Sequence, residues 1–272
     1  MQIGTERRRA ILGRLAQGIM RVPKMPGGLR LARGILGTLP EGVAILMDRW
    51  GVDYFVHYES HVGSALLTER ESEPSIVELA ETELSTVEGP NILDIGANAG
   101  TFSLPLCRGA KKVGLVEANP QLTELLRKTV SYNGFENVEV LNGAVTDEDK
   151  GRVNFYEAKK LKNLSSLRKE YVEGRDEYSK AKIQTIKLEE VMEELGMDQV
   201  DLLKIDIEGM STEGILSLGK RAKDVDVIIA ESDDRIESAK RFLEKSGFIC
   251  SRPFSGMKKL PGHTQKTLMW RQ

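Results

Sequence analysis

A glycine-rich turn at residues 94–101 is the part of the sequence best suited to bind a ligand. It reads Asp-Ile-Gly-Ala-Asn-Ala-Gly-Thr and overlaps the end of the apolar run Asn91–Ile95. Gly96 and Gly100 permit a tight turn and a close approach of the backbone to a ligand, and Asp94 offers a carboxylate to a cationic or hydroxyl group. The spacing differs from the G-x-G-x-x-G pattern of dinucleotide sites. We predict a small-molecule site at the end of this strand.

Glu117 and the segment Asn142-Gly143-Ala144 supply further groups at the ends of the next two apolar runs. Glu117 lies 23 residues after Asp94. An acidic residue at about this interval commonly holds ribose hydroxyls in Rossmann-like sites, so we predict that Glu117 binds a ribose. Two interpretations stay open for Asn142-Gly143-Ala144: contact with an adenine edge, or an ordinary Asn-Gly turn.

Two more carboxylates, Asp206 and Glu208, follow the buried run Val200–Ile205. Ligands of open α/β sheets bind outside the carboxyl ends of the strands, so these side chains should face the same crevice as the glycine-rich turn. There they can position an acceptor or take a proton from it. The alternative is that Glu208 and Gly209 cap the following helix while Glu208 pairs with Lys204.

The elements that must position these residues alternate in type from residue 91 onward. Short apolar runs alternate with helical segments, which predicts a parallel sheet with crossover helices. The predicted strands are Asn91–Ile95, Lys112–Glu117, Val138–Leu141, Val200–Ile205 and Val225–Ala230, followed by Phe248–Ser251 and Thr267–Trp270 as a last, antiparallel edge pair. Helices are predicted directly after the glycine-rich turn and from Pro74 to Val87.

Residues 1–40 differ from the rest of the chain in charge. They carry eight basic side chains and one acidic one, a net charge of +7, and the remainder carries −9. Apolar residues at helical spacing predict an amphipathic helix between residues 5 and 20 that Pro23 ends, then a second helix over Leu29–Leu36. Alternation within residues 43–58 predicts strands or a hairpin. The basic segment is either a cap packed on the main domain or a helix that lies in a membrane interface.

Composition bounds the class of protein. With 272 residues, 40% of them hydrophobic and 29% charged, the chain can bury a sizeable core and does not have the composition of a disordered protein. We predict no transmembrane helix. The two cysteines, Cys107 and Cys250, lie far apart without metal-ligand spacing, and no secretory signal pattern is evident, so we expect a cytoplasmic protein.

The sequence resembles the FkbM-type methyltransferases from about Glu73 to Gly219. The signatures are D-I-G-A-N-A-G at 94–100, V-E-A-N-P at 116–120, and I-Q-T-I-K-L-E-E-V at 183–191 leading into L-L-K-I-D-I-E-G at 202–209. The resemblance implies the Rossmann-like α/β fold of class I methyltransferases, a mostly parallel seven-stranded sheet with helices on both faces, preceded by an N-terminal helical and β extension. We accordingly predict three parts: a basic amphipathic extension (1–40), strands and a helix that cap the active site (41–90), and the methyltransferase domain (91–272).

The same resemblance implies S-adenosyl-L-methionine as cofactor and O-methylation of a hydroxyl on a sugar, glycolipid or natural product. The acceptor would be a small, sugar or lipid-linked molecule. Separately, the charge and the amphipathic spacing of residues 1–40 suggest peripheral contact with a membrane surface. The residues predicted to bind the cofactor are Asp94, Gly96, Ala97, Asn98, Gly100, Thr101, Glu117, Ala118, Asn119, Asn142, Gly143, Ala144 and Asp206. The predicted catalytic residues are Asp206, Glu208 and Glu231. We predict no resident metal ion, although Asp206, Glu231 and Asp233 offer the oxygen ligands that hard cations favour.

The sequence departs from the family pattern at two places. Met210-Ser211 stands where the family has a small and then an acidic residue, and Glu231-Ser232-Asp233 stands where it often has E-x-H. If that histidine assists catalysis elsewhere, this chain needs another base. The candidates are Asp206, Glu208, Glu231, Asp233, His57 and His61, and for each histidine a structural role is favoured over a catalytic one.

Two other functions compete with O-methylation. The segments Thr101–Leu106 and Glu117–Pro120 also resemble archaeal tRNA guanine methyltransferases. Against this, Lys204–Gly209 replaces the Asn/Asp-Pro-Pro-aromatic clamp of many base-methylating enzymes, and the acidic body opposes RNA binding. The missing histidine and the basic leader also leave open a non-catalytic module that binds S-adenosyl-L-methionine or docks on a membrane.

Overall fold

A computed structural model describes residues 2–22, 25–148, 151–158, 165–174, 177–254 and 267–272 of the chain. The helices are α1 (Gln2–Met20), α2 (Gly28–Leu36), α3 (His61–Thr68), α4 (Pro74–Leu84), α5 (Pro120–Asn133), α6 (Lys169–Val172), α7 (Leu188–Glu194), α8 (Ser211–Leu216) and α9 (Ile236–Lys245). The strands are β1 (Val43–Met47), β2 (Asp53–His57), β3 (Asn91–Ile95), β4 (Lys112–Glu117), β5 (Val138–Asn142), β6 (Ala144–Val145), β7 (Arg152–Ala158), β8 (Tyr178–Ile186), β9 (Val200–Ile205), β10 (Val225–Glu231), β11 (Ile249–Phe254) and β12 (Thr267–Arg271).

The central sheet has seven strands in the order β11-β12-β10-β9-β3-β4-β5. The neighbours from β10 to β5 run parallel, and β12 runs antiparallel to both β10 and β11. The strand order reverses between β3 and β9. Ligands of open α/β sheets bind at such a reversal, outside the carboxyl ends of the strands. The predicted mostly parallel seven-stranded sheet with an antiparallel last pair is confirmed.

Apolar side chains of the strands point alternately to two separate cores. Ile92 and Leu202 pack on one face, against the β1–β2 hairpin and helices α1 to α5. Leu93 and Leu203 pack on the other face, against α7, α8 and α9. Burial of each such side chain contributes about 1.5–3 kcal/mol. The continuous apolar strand runs of the sequence therefore reflect a sheet with helices on both faces, as predicted.

The N-terminal extension forms the two helices and the hairpin that the sequence predicts. β1 and β2 pair antiparallel from Val43 opposite His57 to Met47 opposite Asp53. Ser60 caps α3, because its side-chain oxygen accepts a hydrogen bond from the Gly63 amide at 3.0 Å. Pro23, the residue predicted to end the first helix, lies outside the described residues. Among the helices of the described ranges, none combines the length and apolar character needed to cross a membrane.

Two features of the fold differ from the prediction. The α-helix expected after the glycine-rich turn is wrong: the chain forms turns and then a short 3-10 helix, Leu104–Gly109. Pro105 explains this, because it has no amide proton to donate and disfavours helical backbone at the residue before it. The sequence also did not predict a second sheet of three strands, in the order β6-β8-β7.

Candidate active site

A cavity of about 330 Å³ opens at the carboxyl ends of β3, β4, β9 and β10. Most of the residues predicted from the sequence meet there. Those that line the cavity are Gly96, Ala97, Asn98, Thr101, Glu117, Ala118, Gly143, Ala144, Asp206, Glu208 and Glu231. Four of the predicted residues do not line it: Asp94, Gly100, Asn119 and Asn142.

The glycine-rich turn brings β3 into direct contact with the end of β9. Gly96 has φ of +79° and Gly100 has φ of +80°, a left-handed backbone that glycine adopts without strain. A Cβ on Gly96 would lie 2.0 Å from the backbone oxygen of Asp206. The Asp206 amide in turn donates to the carbonyl of Ile95 at 2.9 Å. Any larger residue at Gly96 would push apart the two loops that form the cavity wall.

Glu117 joins two loops of the cavity wall through its carboxylate. One oxygen accepts the backbone amide of Asn98 at 2.8 Å, and the other accepts that of Asn119 at 2.7 Å. Burial raises the pKa of Glu117, and the two amides act in the opposite direction because they favour the charged form. Each carboxylate oxygen has a second acceptor position, so Glu117 can still accept ribose hydroxyls.

Asn119 and Asn142 brace this wall from behind. The side-chain oxygen of Asn119 accepts the amide of Gln121 at 2.9 Å and so caps α5. The side-chain amide of Asn142 donates to the backbone oxygens of Glu117 at 2.9 Å and Ala118 at 3.1 Å. The two asparagines therefore hold the loop that carries Glu117 and stand outside the cavity.

Lys204 lies buried beneath the cavity between two strand-end carboxylates. Its ammonium is 3.2 Å from Asp206 and 3.6 Å from Asp94, which is fully buried and accepts the Ser103 hydroxyl at 2.8 Å. Burial alone would lower the pKa of Lys204, but the carboxylates of Asp206, Asp94 and Glu73 raise it overall. Burial raises the pKa of Asp94. Lys204 is thus a fixed cation that favours the charged form of Asp206 and opposes the effect of burial on the pKa of Asp94.

Glu231 and Asp206 form a carboxyl pair in which one group keeps its proton. Burial raises the pKa of Glu231 to about 10, and the Asp206 and Glu208 carboxylates add to this rise. Burial also opposes ionisation of Asp206, but Lys204 and the hydrogen bond from Glu231 bring its pKa below the ordinary value. Two adjacent carboxyls take up separate pKa values in this way when the site cannot accommodate both negative charges. Near neutral pH, Glu231 is a neutral acid that donates to an ionised Asp206.

The remaining candidate bases occupy different positions. Glu208 and the exposed His61, at the start of α3, line the cavity. The His57 ring lies 3.2 Å from the backbone oxygen of Glu41, away from the cavity lining. Asp233 accepts the amide and hydroxyl of Thr212 at 2.8 and 2.6 Å, which ties it to the first turn of α8. Among the described residues, no group of three or more His, Cys, Asp or Glu side chains is arranged to hold a metal ion.

The structure decides against a helix-capping role for Glu208. Met210, two residues later, is the residue that precedes the first turn of α8. Lys204 forms its ion pairs with Asp94 and Asp206. The predicted alternative, in which Glu208 pairs with Lys204 and caps the helix, is therefore wrong.

Glu73 is a site residue that the sequence did not single out for chemistry. It lines the cavity just before Pro74 of α4, with φ of 55°, and its charge acts on Lys204. Burial raises the pKa of Glu73, and Lys204 opposes the rise. In the sequence, Glu73 is recognisable only as the residue before a helix that starts at Pro74. Its carboxyl comes close to β9 because the extension packs on the sheet.

The strand order, the reversal between β3 and β9 and the carboxylates at the strand ends define a class I methyltransferase fold. The chain belongs to the FkbM methyltransferase family, because residues 94–253 match the methyltransferase FkbM domain. That family is a class I, S-adenosyl-L-methionine-dependent one, and S-adenosyl-L-methionine is therefore the cofactor of this protein.

Individual relatives are distant. An uncharacterized RNA methyltransferase of Fusobacterium nucleatum is 32% identical over 73 residues, which are 27% of this chain and 16% of that protein. The chain thus matches less than a fifth of that relative's length. Among solved structures, TYW2 of M. jannaschii in complex with AdoMet is 15% identical, with 85% of each chain covered and a TM-score of 0.45. A precorrin-6y C5,15-methyltransferase of Geobacter metallireducens is 14% identical, with 73% of this chain and 87% of that chain covered and a TM-score of 0.43.

The residues present fit this cofactor. S-adenosyl-L-methionine carries a ribose, a carboxylate and two positive charges, on the amino group and the sulfonium, so its net charge is positive. Glu117 provides a carboxylate with free acceptor positions, and Gly96 lets the backbone approach without a side chain. Asp206 adds a negative charge to the same cavity, which Glu73 also lines. Carboxylates are the side chains that suit both the hydroxyls and the cations of such a ligand.

Proposed function

We propose that this protein is an O-methyltransferase whose acceptor is a hydroxyl of a sugar, a glycolipid or a natural product. The observation that supports this most directly is the acidic lining of the cavity. Glu73, Asp206, Glu208 and Glu231 share it with Lys204, and the described lining contains no arginine. Such a lining suits an uncharged hydroxyl that must lose a proton, and it disfavours a polyanion.

The donor contacts come from the carboxyl ends of β3, β4 and β5. Glu117 holds the ribose hydroxyls, and the backbone at Gly96, Ala97 and Asn98 lies against the methionine part or the sugar. Gly143 and Ala144 lie on the adenine side. These assignments follow from the cavity lining and from the carboxylate that remains able to accept hydroxyl protons.

The acceptor chemistry follows from the protonation states of the carboxyls. When bound, S-adenosyl-L-methionine supplies an electrophilic methyl group in an in-line displacement. Asp206, kept ionised by Lys204, attracts the cationic donor or orients the acceptor. Glu231 already holds a proton and fixes Asp206 by a hydrogen bond. Glu208 is therefore the carboxylate that we assign as the base for the acceptor hydroxyl, with His61 at the cavity as the next candidate.

RNA methylation is the second candidate, because the Fusobacterium relative is named an RNA methyltransferase. The match covers a small part of both proteins. An RNA substrate would bring its phosphates towards the acidic cavity residues Glu208 and Glu231, at an electrostatic cost. We therefore rank it below a hydroxyl acceptor that carries no charge.

The test is a transfer assay with S-adenosyl-L-methionine labelled in its methyl group. The full chain is incubated with separated polar-metabolite, lipid and RNA fractions of its native host, and the products are identified by mass spectrometry. We expect label in an alkali-stable methyl ether in the polar or lipid fraction. Label in RNA would establish the second candidate instead, and no label in any fraction would favour a module that binds the cofactor without catalysis.

Variants then test the assigned roles on the identified acceptor. Glu208→Gln should slow single-turnover transfer by roughly 10²- to 10⁴-fold with nearly unchanged donor affinity, as expected for loss of a general base. Asp206→Asn should also reduce the rate. Glu244→Gln, on the exposed side of α9, is the matched control and should be silent. If Glu208→Gln and Asp206→Asn both transfer the methyl group at the wild-type rate, the base is another residue, and His61→Gln is tested next.

A further inference from the structure

Helix α1 is fixed on the hairpin by one face, which leaves the opposite face turned outward. A Cβ on Gly13 would lie 1.9 Å from the backbone oxygen of Ile45, so the helix backbone touches β1 directly. The side-chain amide of Gln17 donates to the backbone oxygens of Met47 at 2.8 Å and Leu66 at 2.9 Å. These contacts determine which residues of α1 are buried and which are exposed.

The outward face carries a stripe of apolar side chains. Ile11 and Leu15 lie one turn apart on α1, and Val22 follows two residues after the helix ends; 56%, 51% and 52% of their surfaces are exposed. Leu29 and Leu31 of α2 are exposed as well. Eight large hydrophobic side chains are exposed in the described part of the chain, and six of these lie between residues 11 and 31. Isolated exposed apolar residues are ordinary, but such a concentration marks an interaction surface.

Basic side chains are exposed in the same two helices and in the segment between them. Arg7, Arg21, Arg30 and Arg33 are exposed, and none of them forms an ion pair within the ranges that the structure describes. Residues 1–40 carry a net charge of +7 on a chain whose remainder carries −9. We call the exposed apolar and arginine side chains of this region the basic helical face. Its members are Arg7, Ile11, Leu15, Arg21, Val22, Leu29, Arg30, Leu31 and Arg33.

We propose that the basic helical face docks on the surface of an anionic lipid bilayer. A helix pair with exposed leucine and isoleucine beside unpaired arginines has the two features that bind such an interface: apolar side chains that enter the acyl boundary and cations that face the headgroups. A second copy of the same face would bring like charges together. An RNA strand would use the arginines and leave the apolar stripe in water.

The docked helices connect to the cavity through α3. His61 and Val62, at the start of α3, line the cavity, and Leu66 in the same helix accepts the hydrogen bond from Gln17 of α1. Membrane docking would hold the methyl-transfer site near the bilayer, and the acceptor would then be a glycolipid or another lipid-linked hydroxyl compound. This last step rests on the proposed function, whereas docking itself does not.

The test is co-sedimentation of the full chain with phosphatidylcholine vesicles that contain or lack phosphatidylglycerol. We expect binding that requires the anionic lipid and weakens with salt. The charge variant Arg7→Gln/Arg21→Gln/Arg30→Gln/Arg33→Gln should lose about five-fold in partition for each arginine. The apolar variant Ile11→Ser/Leu15→Ser/Leu31→Ser should also bind at least several-fold more weakly. Circular dichroism verifies that both variants are folded.

A matched control removes four exposed lysines elsewhere: Lys111→Gln/Lys220→Gln/Lys223→Gln/Lys245→Gln. It should bind vesicles much as the wild type does. The proposal is overturned if the wild type does not bind anionic vesicles, if it binds neutral ones equally, or if the control loses as much as the charge variant. Full vesicle binding by the apolar variant, with competition by RNA, would identify a polyanion site instead. Donor and acceptor are absent from this assay, so its result is independent of the O-methylation test.

Discussion

Lys204 sets the protonation of the acids around it. It lies within 4 Å of Asp94 and Asp206, and the charge of Glu73 also acts on it. One cation cannot neutralise all the neighbouring carboxyls, so Glu231 keeps a proton while Asp206 stays charged. The cavity therefore combines a negative charge for the donor with an acid that is neutral near physiological pH.

The raised pKa of Glu231 makes stability depend on pH. The folded protein holds this proton up to about pH 10, whereas an exposed glutamate loses it near 4.5. The folded state binds more protons between these values, so this contribution to stability is full below pH 4.5 and is lost as the pH rises towards 10. The amide of Glu231→Gln is still a neutral hydrogen-bond donor, but it has no proton that titrates in this pH range.

We therefore expect the melting temperature of Glu231→Gln, relative to wild type, to rise steadily across this window. A domain of this size gains about 2–4 °C for each kcal/mol. Thermal melts recorded at several pH values, without donor, measure the difference. Exposed Glu244→Gln should show a constant offset. The same constant offset for Glu231→Gln would contradict the assigned proton.

Loss of the Glu117 carboxylate should weaken donor binding. Removal of a charge-assisted hydrogen bond costs about 1.5–3 kcal/mol, so Glu117→Ala should bind S-adenosyl-L-methionine roughly ten- to hundred-fold more weakly in calorimetry. Glu157→Ala is the matched control: this buried acid accepts the side chain of Asn119 at 3.3 Å but does not line the cavity. Equal affinities for Glu117→Ala and wild type would reject the ribose role.

At the scale of elements, the helix α8 next to the site depends on a carboxylate from the loop after β10. Asp233 accepts the Thr212 amide and hydroxyl and also the amide of Arg235 at 2.9 Å. Asp233→Ala should cost about 1 kcal/mol in urea unfolding, typical of a lost helix-end cap, with a small effect on transfer rate. The neighbouring Asp234→Ala removes an exposed pair with Arg168 and should cost less. A large rate loss without lost stability would instead place Asp233 in the chemistry.

The elements of the central sheet were predictable because burial on both faces makes each strand a continuous apolar run. β3 and β9 begin and end at the predicted residues. The small sheet was not predictable in this way, because β7 and β8 alternate exposed and buried residues and β8 contains polar stretches such as Ser179–Lys182. The helix predicted after Gly100 does not form for a local reason, because Pro105 lacks the amide proton that a continuing helix needs.

At the scale of the whole molecule, the site was predictable where it depends on strand ends alone. Glu117, Asp206 and Glu231 follow buried runs, and the parallel topology brings such ends to one edge. Glu73 and His61 enter from the extension, and their place in the cavity depends on how that segment packs across the sheet. Spacing along the chain contains no information about that packing.

The extension and the sheet share a core, which has a consequence for unfolding. Leu36 of α2 and Tyr54 of β2 are fully buried in the same cluster as Ile92 and Leu202 of the central sheet. A segment that shares so much buried apolar surface with a domain unfolds together with it, because neither part retains a complete core alone. The predicted boundaries at residues 40 and 90 would then separate parts of one cooperative unit.

The two tryptophans allow this to be measured, because Trp50 lies in the hairpin and Trp270 in β12 of the central sheet. In Trp270→Phe the fluorescence reports on the extension, and in Trp50→Phe it reports on the sheet. Each substitution changes stability, so the fluorescence midpoint is compared with the far-ultraviolet circular dichroism midpoint of the same variant. We expect the two midpoints to coincide in both variants. If the Trp50 signal changes well before the circular dichroism signal, the extension unfolds separately, and helices α1 and α2 are held by a weaker attachment than the shared core indicates.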